Sequence, residues 1–176
     1  MNKTDKPMTI ETLIWLFPIV FMIHEFEEII FVKSWVKKNT PIIEKRFPVM
    51  GKRFKKFAKG VSTRRFALIV AEEFLIISAI TIVSAQWSYI NLFAGLLLTY
   101  SLHLLVHIFQ FAIYRRYTPA IVTSLLSIPY AAYTLTVLIN APTFALSWSL
   151  AFFGILSVAM VGNLFACHTL VKRIKL

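Results

Sequence analysis

The sequence predicts an all-α fold: a polytopic membrane helical bundle with five transmembrane helices, forming a single transmembrane domain over residues 1–176. Three observations predict it. First, 58% of the residues are hydrophobic and only 15% are charged, whereas soluble domains carry about 25% charged residues; mean hydropathy is +0.72. Second, the apolar residues gather into five runs, each reaching the roughly 20 residues that cross about 30 Å of hydrocarbon. Third, the basic residues cluster between these runs and not within them.

The runs are 13–32, 66–86, 90–113, 119–139 and 144–170. A polar start, MNKTDKPMTI, precedes the first and has no small-residue cleavage site. The first run is therefore expected to be a retained helix, not a removed signal peptide. Pro18 lies in this run and Pro129 in the fourth; each removes a backbone donor and can kink its helix. The connections at Ser88 and at Asn140-Ala141-Pro142 are very short, which predicts antiparallel neighbours on either side of each. Phe is abundant at 16 and Gly scarce at 5, pointing to bulky interhelical surfaces more than close small-residue packing. The lone Cys167 excludes an intrachain disulfide.

A formal charge of +11 invites a nucleic-acid reading, but its distribution argues against one. Twelve of the 19 Lys and Arg residues fall between Lys33 and Arg65, and the rest at Lys3, Lys6, Arg115, Arg116, Lys172, Arg173 and Lys175. That is a juxtamembrane pattern. The positive-inside rule puts the 33–65 loop in the cytoplasm. With five spans the Arg115-Arg116 turn and the C-terminal tail fall on the same side and the N-terminus outside, a division of 17 basic residues against 2. Within the loop, KRFPVMGKRFKKFAKG interleaves aromatics with Lys and Arg. It reads either as an interfacial segment on anionic lipid or as an ordinary basic loop that sets topology.

The apolar runs contain expensive residues. His24, Glu25, Glu27 and Glu28 lie in the first, Glu72 and Glu73 in the second, His103 and His107 in the third, and His168 at the end of the fifth. A charge at the bilayer centre costs roughly 2.5–3.5 kcal/mol even on lenient scales, and no Lys or Arg lies in these runs. At about 1.5 Å per residue, His24 lies about 12 Å from the cytoplasmic end of its run, Glu72 and Glu73 about 9–10 Å, and His107 about 9 Å. Asn163, about 10 Å in on the same measure, joins them. Helices of opposite direction thus bring these groups to one slab in the cytoplasmic half.

Helical phase sorts the members. His24, Glu27 and Glu28 share a face at i, i+3, i+4, as do Tyr100, His103 and His107. Glu25 points about 100° from His24. Asn163 shares a face with Cys167, whereas His168 is displaced from it. Glu72 and Glu73 are adjacent, so one is expected as a ligand and the other behind it. Imidazole nitrogen and carboxylate oxygen suit zinc, iron or manganese. The set partly matches carboxylate-bridged di-metal bundles, but its one i,i+3 Glu/His pair, His24 to Glu27, runs in reverse order. The alternatives are protonated carboxylates in a purely structural network and an ion- or proton-coupled path. Towards the outside such a path finds mainly Thr81, Ser84 and Thr136.

The segment His24-Glu25-Phe26-Glu27-Glu28 resembles the signature of the HXXEE family of small bacterial integral membrane proteins, with His24, Glu27 and Glu28 at the named positions. Glu72-Glu73 and the Asn163 to His168 stretch are similar to other polar positions of that family. The resemblance covers most of the chain. It implies a multi-pass protein of a bacterial cytoplasmic (inner) membrane and implies no reaction.

The expected function is an intramembrane metal-dependent enzyme, hydrolase or oxidoreductase, acting on a lipid or other apolar small molecule. A divalent metal, zinc or iron, would be held among His24, Glu28, Glu72, Glu73, His103, His107 and His168. Glu27 would be the general base, and Asn163 and Tyr100 would orient substrate or stabilise developing charge. The alternative is a non-enzymatic membrane binding protein or small transporter that uses the same cluster to hold a cation.

Overall fold

The computed structural model describes residues 8–171, apart from the side chains of Phe57, His168 and Val171. Lys3, Lys6 and the Lys172-Arg173-Lys175 tail therefore lie outside the described residues. The described chain is all helical: α1 (Ile10–Arg46), α2 (Pro48–Ala58), α3 (Thr63–Gln86), α4 (Ile90–Tyr114), α5 (Ile121–Ile139) and α6 (Leu146–Val171).

Among the described residues, four helices are long and apolar enough to cross a membrane: Thr63–Gln86, Ile90–Tyr114, Ile121–Ile139 and Leu146–Cys167. The protein is thus a multi-span membrane bundle, but composition marks four spans and not five. The expected first span lies in α1, where Glu25, Glu27 and Glu28 interrupt the apolar stretch.

α1 is also longer than its apolar run. It starts at a Thr9 cap whose hydroxyl accepts from the Thr12 N–H at 3.2 Å and continues for 37 residues. The run predicts an end near Val32, yet the helix continues through Pro41 to Arg46. Hydropathy falls after Val32, but inward-facing positions persist: Val36 and Asn39 remain buried. The Asn39 side-chain oxygen accepts from the Tyr114 hydroxyl at 2.6 Å. Trp35 Nε1 donates to the Tyr117 carbonyl at 2.6 Å. Arg46 donates to the Tyr114 carbonyl at 2.7 Å, satisfying an open carbonyl at the end of α4.

Much of the segment read as a 33–65 loop is therefore helix. After Phe47 the chain turns into α2, with Pro48 at the first helical position, where no N–H is needed. α2 folds back on α1. Gly51 makes this possible, because a Cβ there would overlap the Glu44 backbone. The Lys55–Glu44 ion pair at 3.0 Å and the edge contact of Phe54 with Trp35 close the hairpin. Val49 and Met50 remain exposed.

Phe17, Phe21, Phe93, Leu97, Tyr100 and Leu104 build the core between α1 and α4. Phe17 meets Phe93 and Tyr100 edge-on at 5.6 and 5.3 Å, the offset geometry aromatic pairs prefer. α6 departs from expectation. The short connection predicts α5 as its antiparallel neighbour, yet α6 packs mainly against α4 and also touches α3. Asn91, in the first turn of α4, explains this. Its side chain donates to the Thr143 carbonyl at 3.2 Å and accepts from the Ala145 N–H at 2.7 Å and the Ser149 hydroxyl at 3.1 Å. The start of α6 is thereby pinned to α4. Further along, a Cβ at Gly95 would lie 2.5 Å from Phe152 Cβ. One of the few glycines thus supplies close packing in a chain whose composition points to bulky surfaces.

Candidate metal centre

His24 continues the inward face of α1 set by Phe17 and Phe21 and is fully buried. On α4, Phe93, Tyr100 and His107 repeat every seven residues along the inward face, and all three are buried. His103, one turn before His107, sits at the edge of that face, with 41% of its side chain exposed.

These three imidazoles converge. His103 Nε2 lies 3.1 Å from His24 Nε2 and 3.1 Å from His107 Nε2, and the three ligand atoms lie within 4.8 Å of one another. A neutral imidazole carries a proton on only one of its nitrogens. Each Nε2 carries either a proton or a lone pair, so His103 Nε2 can complete an ordinary hydrogen bond with only one of its two neighbours, and the other contact stays unsatisfied. A cation satisfies all three. Nitrogens about 2.0–2.1 Å from a tetrahedral ion stand about 3.3 Å apart, close to the observed spacing.

Two carboxylates border the imidazoles. Glu25 Oε1 is 3.6 Å from His103 Nε2, and Glu28 Oε1 is 3.6 Å from His107 Nε2. Glu25 is buried, although its phase puts it off the His24 face. It reaches the centre because His103 occupies the edge of α4 on that side. Glu73, from α3, lies close enough to Glu25, Glu28 and His103 to interact electrostatically. Its neighbour Glu72 turns to α6, where Oε2 accepts from Asn163 Nδ2 at 2.7 Å and from the Cys167 thiol at 3.3 Å. Asn163 is thus engaged with Glu72. His168 lies in α6, and its side chain is outside the described residues.

Glu27, expected as the general base, has both carboxylate oxygens occupied. Oε2 accepts from the Thr123 N–H at 2.8 Å and the Thr123 hydroxyl at 2.6 Å; Oε1 accepts from the Tyr117 hydroxyl at 2.8 Å. This placement has a structural logic. α5 starts after Ala120, which has a positive φ of 70° and offers no side-chain cap. Glu27 supplies the missing acceptor from α1, at a helix end that favours negative charge. Burial, followed by the adjacent Glu27 carboxylate, pushes the Tyr117 hydroxyl above its ordinary range. Thr123 Oγ1 also lies 3.2 Å from His24 Nδ1. Tyr100 packs edge-on against His24 at 5.8 Å and donates to Ser127 Oγ at 3.0 Å.

Sequence reasoning missed Thr123 and Tyr117. A threonine in an apolar helix and a tyrosine at a membrane boundary carry no signal of their own. A tertiary contact alone brings them to Glu27.

Residues 15–134, from α1 through most of α5, match the family described as "Protein of unknown function with HXXEE motif". The match ends before α6, so Asn163, Cys167 and His168 lie beyond it. No curated protein and no solved structure matches the chain. The motif residues His24, Glu27 and Glu28 stand in α1 within the matched span, and over that span the chain belongs to the HXXEE motif family.

Proposed function

We propose that the protein is an intramembrane metal-dependent enzyme acting on a lipid or other apolar small molecule, with a divalent ion held by His24, His103 and His107. The observation that carries the reading is the meeting of three Nε2 atoms from two helices at 3.1 Å contacts. An all-imidazole donor set with a further position open suits catalytic zinc, and iron is the second candidate. A bound ion would supply Lewis-acid activation. In this reading Glu28, beside His107, takes the base role expected of Glu27, whose oxygens are already engaged. Glu25 and Glu73 balance the cation's charge, and half-exposed His103 marks the side from which substrate approaches.

The placement in the membrane belongs to the same proposal. α1 is the first of five spans, added to the four that composition marks, because three carboxylates facing a cation, a helix end and a histidine cost less than three facing lipid. The basic surface of the α1 extension, α2 and the start of α3 then lies in the cytoplasm of a bacterial inner membrane. There α2 rests on anionic lipid, with Val49 and Met50 turned to the bilayer.

Metal analysis of detergent-purified protein tests the reading. One equivalent of zinc or iron is expected per chain, lost in His103→Ala and His107→Ala variants that still elute as folded protein. A wild type that stays metal-free after incubation with either ion overturns the proposal. Stoichiometric metal with no turnover across lipid and ester substrates points to a binding protein instead.

A further inference from the structure

We infer that Thr123 is a positioning residue that fixes the tautomer of His24, and through it the metal affinity of the site. The inference rests on the metal reading above and adds to it a group that touches no metal.

The Thr123 hydroxyl has one proton and four acceptors in reach, of which the Ala120 and His24 carbonyls, at 3.4 and 3.5 Å, are the most distant. Glu27 Oε2 is 2.6 Å away and His24 Nδ1 is 3.2 Å away. A short O–H to carboxylate contact is the strong, charge-assisted kind, so the proton belongs to Glu27. The hydroxyl oxygen is then free only to accept, and His24 meets it as Nδ1–H. That leaves the His24 Nε2 lone pair facing His103 and His107, as metal binding requires.

Glu27 holds this direction because its position is itself over-determined. The Thr123 N–H at 2.8 Å and the Tyr117 hydroxyl at 2.8 Å fix the carboxylate. Tyr117 is anchored in turn by Trp35 Nε1 on its carbonyl at 2.6 Å. The chain Tyr117–Glu27–Thr123–His24 thus links the α4–α5 loop to the imidazole cluster. His107 differs, since its Nδ1 is buried with no hydrogen-bond partner among the described residues. Of these two buried rings, His24 is the one that protein groups pre-set.

Two measurements test the inference. The first is the ¹⁵N spectrum of histidine-labelled, metal-free wild type in detergent micelles, with His24 assigned by loss of its signal in His24→Gln. His24 is expected as the Nδ1–H tautomer, and an Nε2–H tautomer overturns the inference without any variant having to fold. The second is zinc affinity by competition with a chromophoric chelator. Thr123→Val keeps the shape and removes the hydroxyl; it is expected to weaken zinc about 10- to 100-fold, the usual effect of losing a group that orients a ligand. Saturating zinc should still give the wild-type stoichiometry. Thr123→Ser is expected to restore affinity to near the wild-type value. Wild-type affinity in Thr123→Val, or no rescue by Thr123→Ser, refutes the positioning role. A wild type that binds no zinc sinks the metal reading and leaves the tautomer result to be read separately.

Discussion

Replacing Glu27 with alanine removes one acceptor from three donors at once. Two of them, the Thr123 N–H and hydroxyl, approach Oε2 at 2.8 and 2.6 Å at the start of α5. A hydrogen bond to a charged group contributes about 1.5–3 kcal/mol. The third donor, Tyr117, is 42% exposed and can turn to water, so little is assigned to it. Taking the low end for the two Thr123 bonds gives about 3 kcal/mol. At about 2–4 °C per kcal/mol for a chain of this size, Glu27→Ala should melt about 6–12 °C below wild type. Glu27→Gln is the informative companion. Its carbonyl can still face Thr123 and its amide can donate to the Tyr117 oxygen, so it loses mainly the charge at the α5 N-terminus, worth about 0.3–1 kcal/mol. The assay is thermal unfolding in one detergent, followed by tryptophan fluorescence and by size-exclusion of heated samples. The reasoning fails if Glu27→Ala melts within about 2 °C of wild type, or if Glu27→Gln is the worse of the two.

Zinc at about 100 times its dissociation constant should stabilise wild type by about 2.7 kcal/mol and His24→Ala not at all; equal stabilisation of both would place the ion elsewhere. Gly95→Ala puts a methyl against Phe152 and should cost about 1–3 kcal/mol. Unchanged melting and unchanged trypsin resistance of α6 would remove Gly95 from the α4–α6 interface. A cysteine at exposed Lys52, in a Cys167→Ser background, should react with an impermeant maleimide only after the cytoplasmic face is opened. Labelling in intact cells would reverse the proposed orientation.

Helical spacing alone made the His103 and His107 pair legible, because i, i+4 residues share a face whatever the fold. Level along the helix axes was legible too. Counting residues from the basic ends puts His24 near the level of that pair, and in the structure the rings meet. Rotation about each helix axis was not. Glu25 sits at the centre because of how α1 and α4 are turned toward each other, which no single-helix pattern encodes. The α1 extension was hidden because hydropathy stops at Val32 while helical structure continues to Arg46. The neighbour of α6 was hidden because a short connection limits distance but not direction. The decision falls to the Asn91 side chain.

All three imidazoles come from α1 and α4, and beyond the histidines α1 is tied to the end of α4 by Asn39 to Tyr114 and Arg46 to Tyr114, and to the α4–α5 loop by Trp35 to Tyr117. The most direct way to open the cluster is to slide α1 along α4. A slide of one helical turn, about 5.4 Å, would break every one of these bonds. Helices meet a change in bilayer thickness by tilting or kinking, and a tilt of one helix against the other would need such a slide. These bonds resist such a slide, so the spacing of the histidines should stay the same in thin and thick membranes.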